Sequence, residues 1–178
     1  EKVKSIFYWV QDNIRYIAFE DGLAGFIPAT AQDVFRSKYG DCKGMANLIT
    51  EMLKLAGLDA HMTWIGTRHI PYDYSLPSLA VDNHCITVII AGKEYFLDGT
   101  EKYIPFGDYA WRIQGKDVLI GKGSTYDIKK VPLMEIEKSK LLTQTSFQLK
   151  DNVLKGHVKT TLTGEQRTRF HQYYHDLP

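Results

Sequence analysis

Cysteine is almost absent from this chain: Cys42 and Cys85 are the only two among 178 residues. Two thiols build no disulfide framework, and they lack the C-x-x-C spacing of a structural zinc site. Long apolar runs are missing as well. Nothing approaches the roughly 18 consecutive apolar residues of a membrane-spanning helix, so no span is expected. Excess charge is equally scarce, because Lys and Arg number 22 against 21 Asp and Glu. The net charge of +1 supplies no broad positive field for a phosphate backbone, and nucleic acid is not expected as a partner. Internal repeats and low-complexity tracts are absent too. What remains is globular in character, with 44% hydrophobic, 12% aromatic and 24% charged residues. The length suits one domain, or one domain and part of a second. Glu1 follows neither a start Met nor a basic-then-apolar leader, so the chain is expected to be part of a larger multi-domain protein.

Apolar residues Val3, Ile6, Phe7, Val10, Ile14 and Ile17 recur at spacings of three and four, which predicts a helix with one buried face. Gly22 to Pro28 breaks it. Thr30, with Asp33 three positions later, then opens a short helix carrying Val34 and Phe35. From Cys42 the series Met45, Leu48, Ile49, Met52, Leu53 and Ala56 has the helical period, and Gly57 stands where a left-handed residue ends a helix. Asp41 is the expected N-cap, which puts Cys42 at the positive end of that helix. Ala60, Met62 and Trp64 alternate as a strand, and Thr67 to Asp82 reads as a long surface loop. Residues 84–90 and 94–98 are β-rich and read as a hairpin. Short strands at 118–120 and 126–131 lead to a polar connector over 132–143, with a boundary near residue 140. A second hairpin, 144–149 with 153–163, precedes an aromatic, His-rich stretch, and residues 141–178 read as the start of a truncated β-rich region.

A thiol becomes a useful nucleophile when a helix N-terminus or an imidazolium lowers its pKa from about 8.5 into the range ~3.5–7.5. Cys42 meets the first condition locally. His84 and Asp98 sit near the open end of the predicted hairpin, on adjacent strands, where one can act as base and the other can orient it. Strand parity constrains the pair. With a three-residue loop over 91–93, Ile86 opposes Asp98, and His84 and Asp98 become diagonal neighbours on one face. A two-residue Gly92-Lys93 turn, which Gly92 suits, sends Asp98 to the other face. Both turns are compatible with the residues. The Cys42 N–H, unpaired in the first helical turn, is a candidate oxyanion donor, and Gln11 or Gln32 is a candidate for the second. Cys85 follows His84 directly and is expected to point away from the site as a small buried hydrophobe.

Three short motifs stand in order: Gly40-Asp41-Cys42-Lys43, Asn83-His84 and Phe96-Leu97-Asp98-Gly99-Thr100. Together they resemble the transglutaminase-like superfamily. The run Trp9-Val10-Gln11-Asp12-Asn13-Ile14-Arg15-Tyr16 and the helix exit Leu55-Ala56-Gly57-Leu58-Asp59-Ala60 resemble its bacterial multi-domain branch, over roughly residues 1–130. The tail from Gly156 to Arg167 is similar to the β domain that follows this core in large bacterial members. The resemblance implies a papain-like arrangement in which Cys42 attacks an acyl carbon, His84 is base and then acid, and Asp98 orients His84.

The expected fold is α+β: a helical layer containing the Cys42 helix, packed on an antiparallel sheet containing the His84 and Asp98 strands, with residues 1–140 as the catalytic core. The expected function is acyl chemistry on a protein or peptide amide through a Cys thioester, by hydrolysis or by transfer to an amine. No metal or organic cofactor is required. The alternative is a non-catalytic protein-binding module of a larger exported protein. A metal site built from Cys42, His84, Cys85 and Asp98 is disfavoured by parity, and His171 with His175 lacks a third ligand. Tyr72, Tyr74, Tyr103, Tyr109 and Trp111 either line a substrate groove or pack two long loops onto the core. A periplasmic or extracellular location is favoured.

Overall fold

The apolar stripe of Met45, Leu48, Ile49 and Leu53 is the seam around which the first part of the chain assembles. It lies on α3 (Cys42–Leu55) and is buried. A computed structural model describes residues 1–18 and 21–175, so the last residues of the His-rich stretch, 176–178, lie outside the described part. Two compact units divide between Leu133 and Met134.

In the first unit, α1 (Lys2–Asn13) and α2 (Ala31–Ser37) both pack against α3. Thr30 and Asp33 cap α2 reciprocally: the Asp33 N–H donates to Thr30 Oγ1 at 3.1 Å and the Thr30 hydroxyl to Asp33 Oδ2 at 2.6 Å. Sequence periodicity carried the first helix on to Ile17, but α1 stops at Asn13. Ile14 is extended, and β1 (Arg15–Tyr16) pairs in parallel with β2 (Tyr39–Gly40). The Arg15 N–H donates to the Lys38 carbonyl at 2.9 Å and the Ile17 N–H to the Gly40 carbonyl at 3.0 Å. Ile14 still reaches the core, so its apolar spacing is honoured by an extended residue just past the helix end.

Behind α3 stands an antiparallel sheet of order β5-β4-β3-β6-β7, made of β3 (Asp59–Ile65), β4 (His84–Ile90), β5 (Glu94–Leu97), β6 (Asp117–Lys122) and β7 (Thr125–Lys130). α3 packs on β3 and β4. Every β4 residue except Ile90 is buried, which accounts for a strand with no polar alternation. Between α3 and β4 the contact is not wholly apolar: the buried Thr87 hydroxyl donates to the Ala46 carbonyl at 2.8 Å and lies 3.1 Å from Thr50 Oγ1. Ile90 opposes Glu94, Val88 opposes Phe96 and Thr87 opposes Leu97, so the hairpin loop is the three residues 91–93, with Gly92 at φ +76°. That register sets the position of Asp98, directly after β5.

The second unit holds β8 (Leu141–Lys150) paired antiparallel with β9 (Val153–Leu162), followed by α4 (Gly164–Tyr174). Asp151 and Asn152 both take positive φ, as a two-residue hairpin turn requires. β8 begins at Leu141, inside the stretch read as connector. After the expected hairpin the aromatic, His-rich stretch forms a helix; only Thr168 of α4 is buried, so no apolar stripe announced it.

Candidate active site

Cys42 is the first residue of α3. Asp41 caps the helix, its Oδ1 accepting the Gly44 N–H at 2.8 Å, while its Oδ2 pairs with the buried Lys43 ammonium. The cap fixes where the helix starts, and therefore where the thiol sits. Cys42 lines a cleft of about 500 Å³ together with Phe26, Trp64, Asp82, Asn83 and His84.

His84 opens β4 and is 6% exposed; Asp98 follows β5 and is 3% exposed. The three-residue loop makes them the diagonal neighbours that parity allowed. His84 Nε2 lies 2.9 Å from Asp98 Oδ2, and the ring shares the cleft lining with Cys42. Burial alone would discharge the ring, but the Asp98 charge and the hydrogen bonds to Asp98 and Cys42 prevail and push its pKa up to about 9. Burial likewise opposes the Asp98 charge. The facing His84 and Arg112 charges, with hydrogen bonds from His84 and Thr100, override it and hold the carboxyl well below the usual range.

Arg112 is the site residue that the sequence did not reveal. Its Nη2 donates to Asp98 Oδ2 at 2.9 Å and to Thr100 Oγ1 at 2.5 Å, and Nε lies 2.7 Å from Glu101 Oε1 as a contact of charges. It comes from a loop with no periodicity, 14 residues beyond Asp98 in sequence. No motif marks it.

Other candidates are placed differently. Gln11 is buried, and its amide donates to the Glu101 carbonyl at 2.6 Å and reaches the Ile104 carbonyl at 3.5 Å, so it ties α1 to a loop. Gln32 is exposed on α2 and lies outside the cleft lining. Neither lines the cleft with Cys42. Cys85 does not turn away from the site as alternation demanded: it clusters with Cys42, Ala46, Met62 and Trp64 and lines the same cleft. The pleat alternates along the body of β4, yet at the strand's open end both His84 and Cys85 border the cleft. Burial, the first cause, pushes the Cys85 thiol well up. Both cysteines are free.

The five aromatics named as groove candidates also lie outside the cleft lining, where Phe26 and Trp64 stand instead. Tyr109 packs edge-on against Phe96, Tyr74 is 3.4 Å from Asp82, and Trp111 sits under the Arg68 guanidinium at 5.0 Å. Among the described residues no three His, Cys, Asp or Glu side chains are grouped to hold a metal. Among the described residues no helix is long and apolar enough to cross a membrane.

A thiol at a helix start, an imidazole at a strand start and a carboxylate just after the next strand meet in an α+β fold of helices packed on an antiparallel sheet. The chain belongs to the transglutaminase-like superfamily, whose sequence pattern matches residues 1–93. Among solved structures, a "putative protease" from Parabacteroides distasonis superposes with a TM-score of 0.57 at 15% identity. The match covers 85% of this chain and 30% of that one, and at such identity it speaks for the fold alone. No curated protein matches the chain.

Proposed function

We propose that residues 1–133 carry out thiol-dependent acyl chemistry on a protein or peptide amide, with Cys42 as nucleophile, His84 as proton carrier and Asp98 as its orienter. One observation carries this reading: a single buried imidazole bonds Asp98 through Nε2 at 2.9 Å and lines the same cleft as Cys42. A ring that stays protonated toward pH 9 stands as an imidazolium beside the thiol, the pairing that favours a thiolate nucleophile.

In the first step the Cys42 sulfur forms a bond to the acyl carbon, the carbon–nitrogen bond breaks, and the His84 proton leaves on the amine or ammonia. In the second, water or an acceptor amine gives a proton to His84 and attacks the thioester, which returns the thiol. The Cys42 N–H, for which the first turn of α3 has no acceptor, faces the developing oxyanion. Hydrolysis and transfer differ only in which nucleophile reaches the thioester.

Labelling with iodoacetamide across pH, with the modified residue mapped, tests the nucleophile. Cys42 should react much faster than Cys85; equal rates would sink the reading. A glutamine-containing peptide, with and without an added amine, then separates ammonia release by hydrolysis from amine incorporation.

A further inference from the structure

Arg112 enters the site from a turn that is anchored on both sides. Ala110 and Ile113 are buried, the Ile113 N–H bonds the Ala110 carbonyl at 3.0 Å, and the Arg112 carbonyl accepts the Arg68 N–H at 2.8 Å. The guanidinium is thus delivered to a fixed place. Its Nη2 shares Asp98 Oδ2 with His84 and comes within 3.3 Å of His84 Nε2. The other carboxylate oxygen is held through Thr100: Asp98 Oδ1 accepts the Thr100 N–H at 3.1 Å and the Thr100 hydroxyl at 2.7 Å, and that hydroxyl in turn accepts from Arg112 Nη2. Besides these bonds, Arg112 brings a positive charge to the edge of the imidazole.

That charge meets a donor, not an acceptor. Nε2 must carry its proton to bond Asp98, so Arg112 and the ring present N–H groups to each other across one oxygen, and a protonated ring is repelled. Behind Arg112, Glu101 partly neutralises the guanidinium. We propose that Arg112 is a positioning residue whose guanidinium, wedged between Asp98 and His84 and backed by Glu101, sets how readily the His84 ring yields its proton. This rests on the acyl-transfer reading above, in which the ring must surrender a proton to the leaving nitrogen and then regain one. The groups that face it are Cys42 from α3, Asp98 after β5 and Arg112, with Glu101 and Tyr16 acting on Arg112 in turn.

NMR titration of the His84 ring tests this in the whole chain. Arg112→Gln should move the midpoint up, Glu101→Gln should move it down because the guanidinium is then less neutralised, and Arg112→Lys should stay near the parent. A residue that only supports the fold would not shift the midpoint in opposite directions from its two ends. Shifts of the same sign, or none, overturn the proposal; if Arg112→Gln does not fold, an unmoved midpoint in Glu101→Gln overturns it alone. Acylation by p-nitrophenyl acetate should follow, its pH profile moving with the midpoint in each variant. Iodoacetamide labelling of the parent keeps the two ideas apart. A parent Cys42 no more reactive than Cys85 removes the acyl-transfer reading, whereas a reactive Cys42 with an unmoved His84 midpoint removes only the role of Arg112.

Discussion

The two ends of the central strands keep their charges in opposite ways. Where β4 begins, His84 and Asp98 are buried and Arg112 is half-buried, and each touches at least two polar partners. At the other end, around the start of β3 and the β6–β7 turn, charges sit in separate pairs on the surface. Lys122 and Asp127 lie 2.6 Å apart with side chains 33% and 44% exposed, and Asp59 with His61 is similar. Exposed pairs are screened and add little to stability. Buried charges lose their hydration and persist only when every lone pair and proton is used. The interconnected end is therefore the one whose arrangement demands an explanation beyond folding.

The sharpest way to break this contrast is to remove the reacting groups. Cys42→Ala and His84→Ala should each lower turnover by about 10⁵-fold or more, and the double variant should be little worse, because the pair acts as one unit. Additive losses in kcat/KM would separate their roles. Asp98→Asn comes next. It favours the wrong imidazole tautomer, so activity should fall by up to about 10⁴-fold. It also leaves Arg112 and His84 facing a neutral amide, and a urea melt should show a loss of about 3 kcal/mol. An Asp98 that merely began the Gly99-Thr100 turn would tolerate Asn in both measurements.

The pH dependence of stability should follow the same end of the sheet. His84 has its folded pKa raised from 6.5 to about 9, so its contribution is complete below pH 6.5 and disappears as pH rises through about 9. Asp98 is lowered from 3.8, so its contribution is complete above that value and is lost as pH falls toward the lowered one. Melting temperature should therefore be highest between about pH 4 and 6.5, and the alkaline decline should flatten in His84→Ala. The smallest effect belongs to the other end. Lys122→Ala should leave the melting temperature unchanged at physiological salt, and a clear drop would show that the surface pairs matter more than screening allows.

Much of this was legible because local rules and tertiary packing agree. Asp41 as cap, Gly57 as terminator and the α3 stripe between them are each dictated by backbone chemistry, so the place of Cys42 could be read directly. His84 and Asp98 needed one further fact, the length of the loop at 91–93, which turn chemistry left open and which the β4–β5 register decides. Arg112 had no such handle. Its partners lie on β4, after β5 and in its own loop, and a single basic residue in an aperiodic segment carries no sign of where the chain will bring it. Ile14 misled for a related reason, since helical spacing does not distinguish a last helical turn from an extended residue that also faces the core. Cys85 shows the limit of parity at a strand end, where a neighbouring helix start brings a cleft to two consecutive residues.

The hydroxyl of Thr87 has a mechanical meaning. Apolar surfaces resist being pulled apart but slide over one another with little change in buried area, so a helix lying on a sheet is poorly indexed along its own axis. The bond from Thr87 to the Ala46 carbonyl, with Thr50 one turn further on, works like a dowel between the two layers. It is seated three residues into β4 from His84 and one turn into α3 from Cys42. Axial slippage of the helix by even a fraction of a turn would draw the thiol away from the ring. The spacing between the Cys42 thiol and the His84 ring is thus gauged from inside the core, at the buried Thr87.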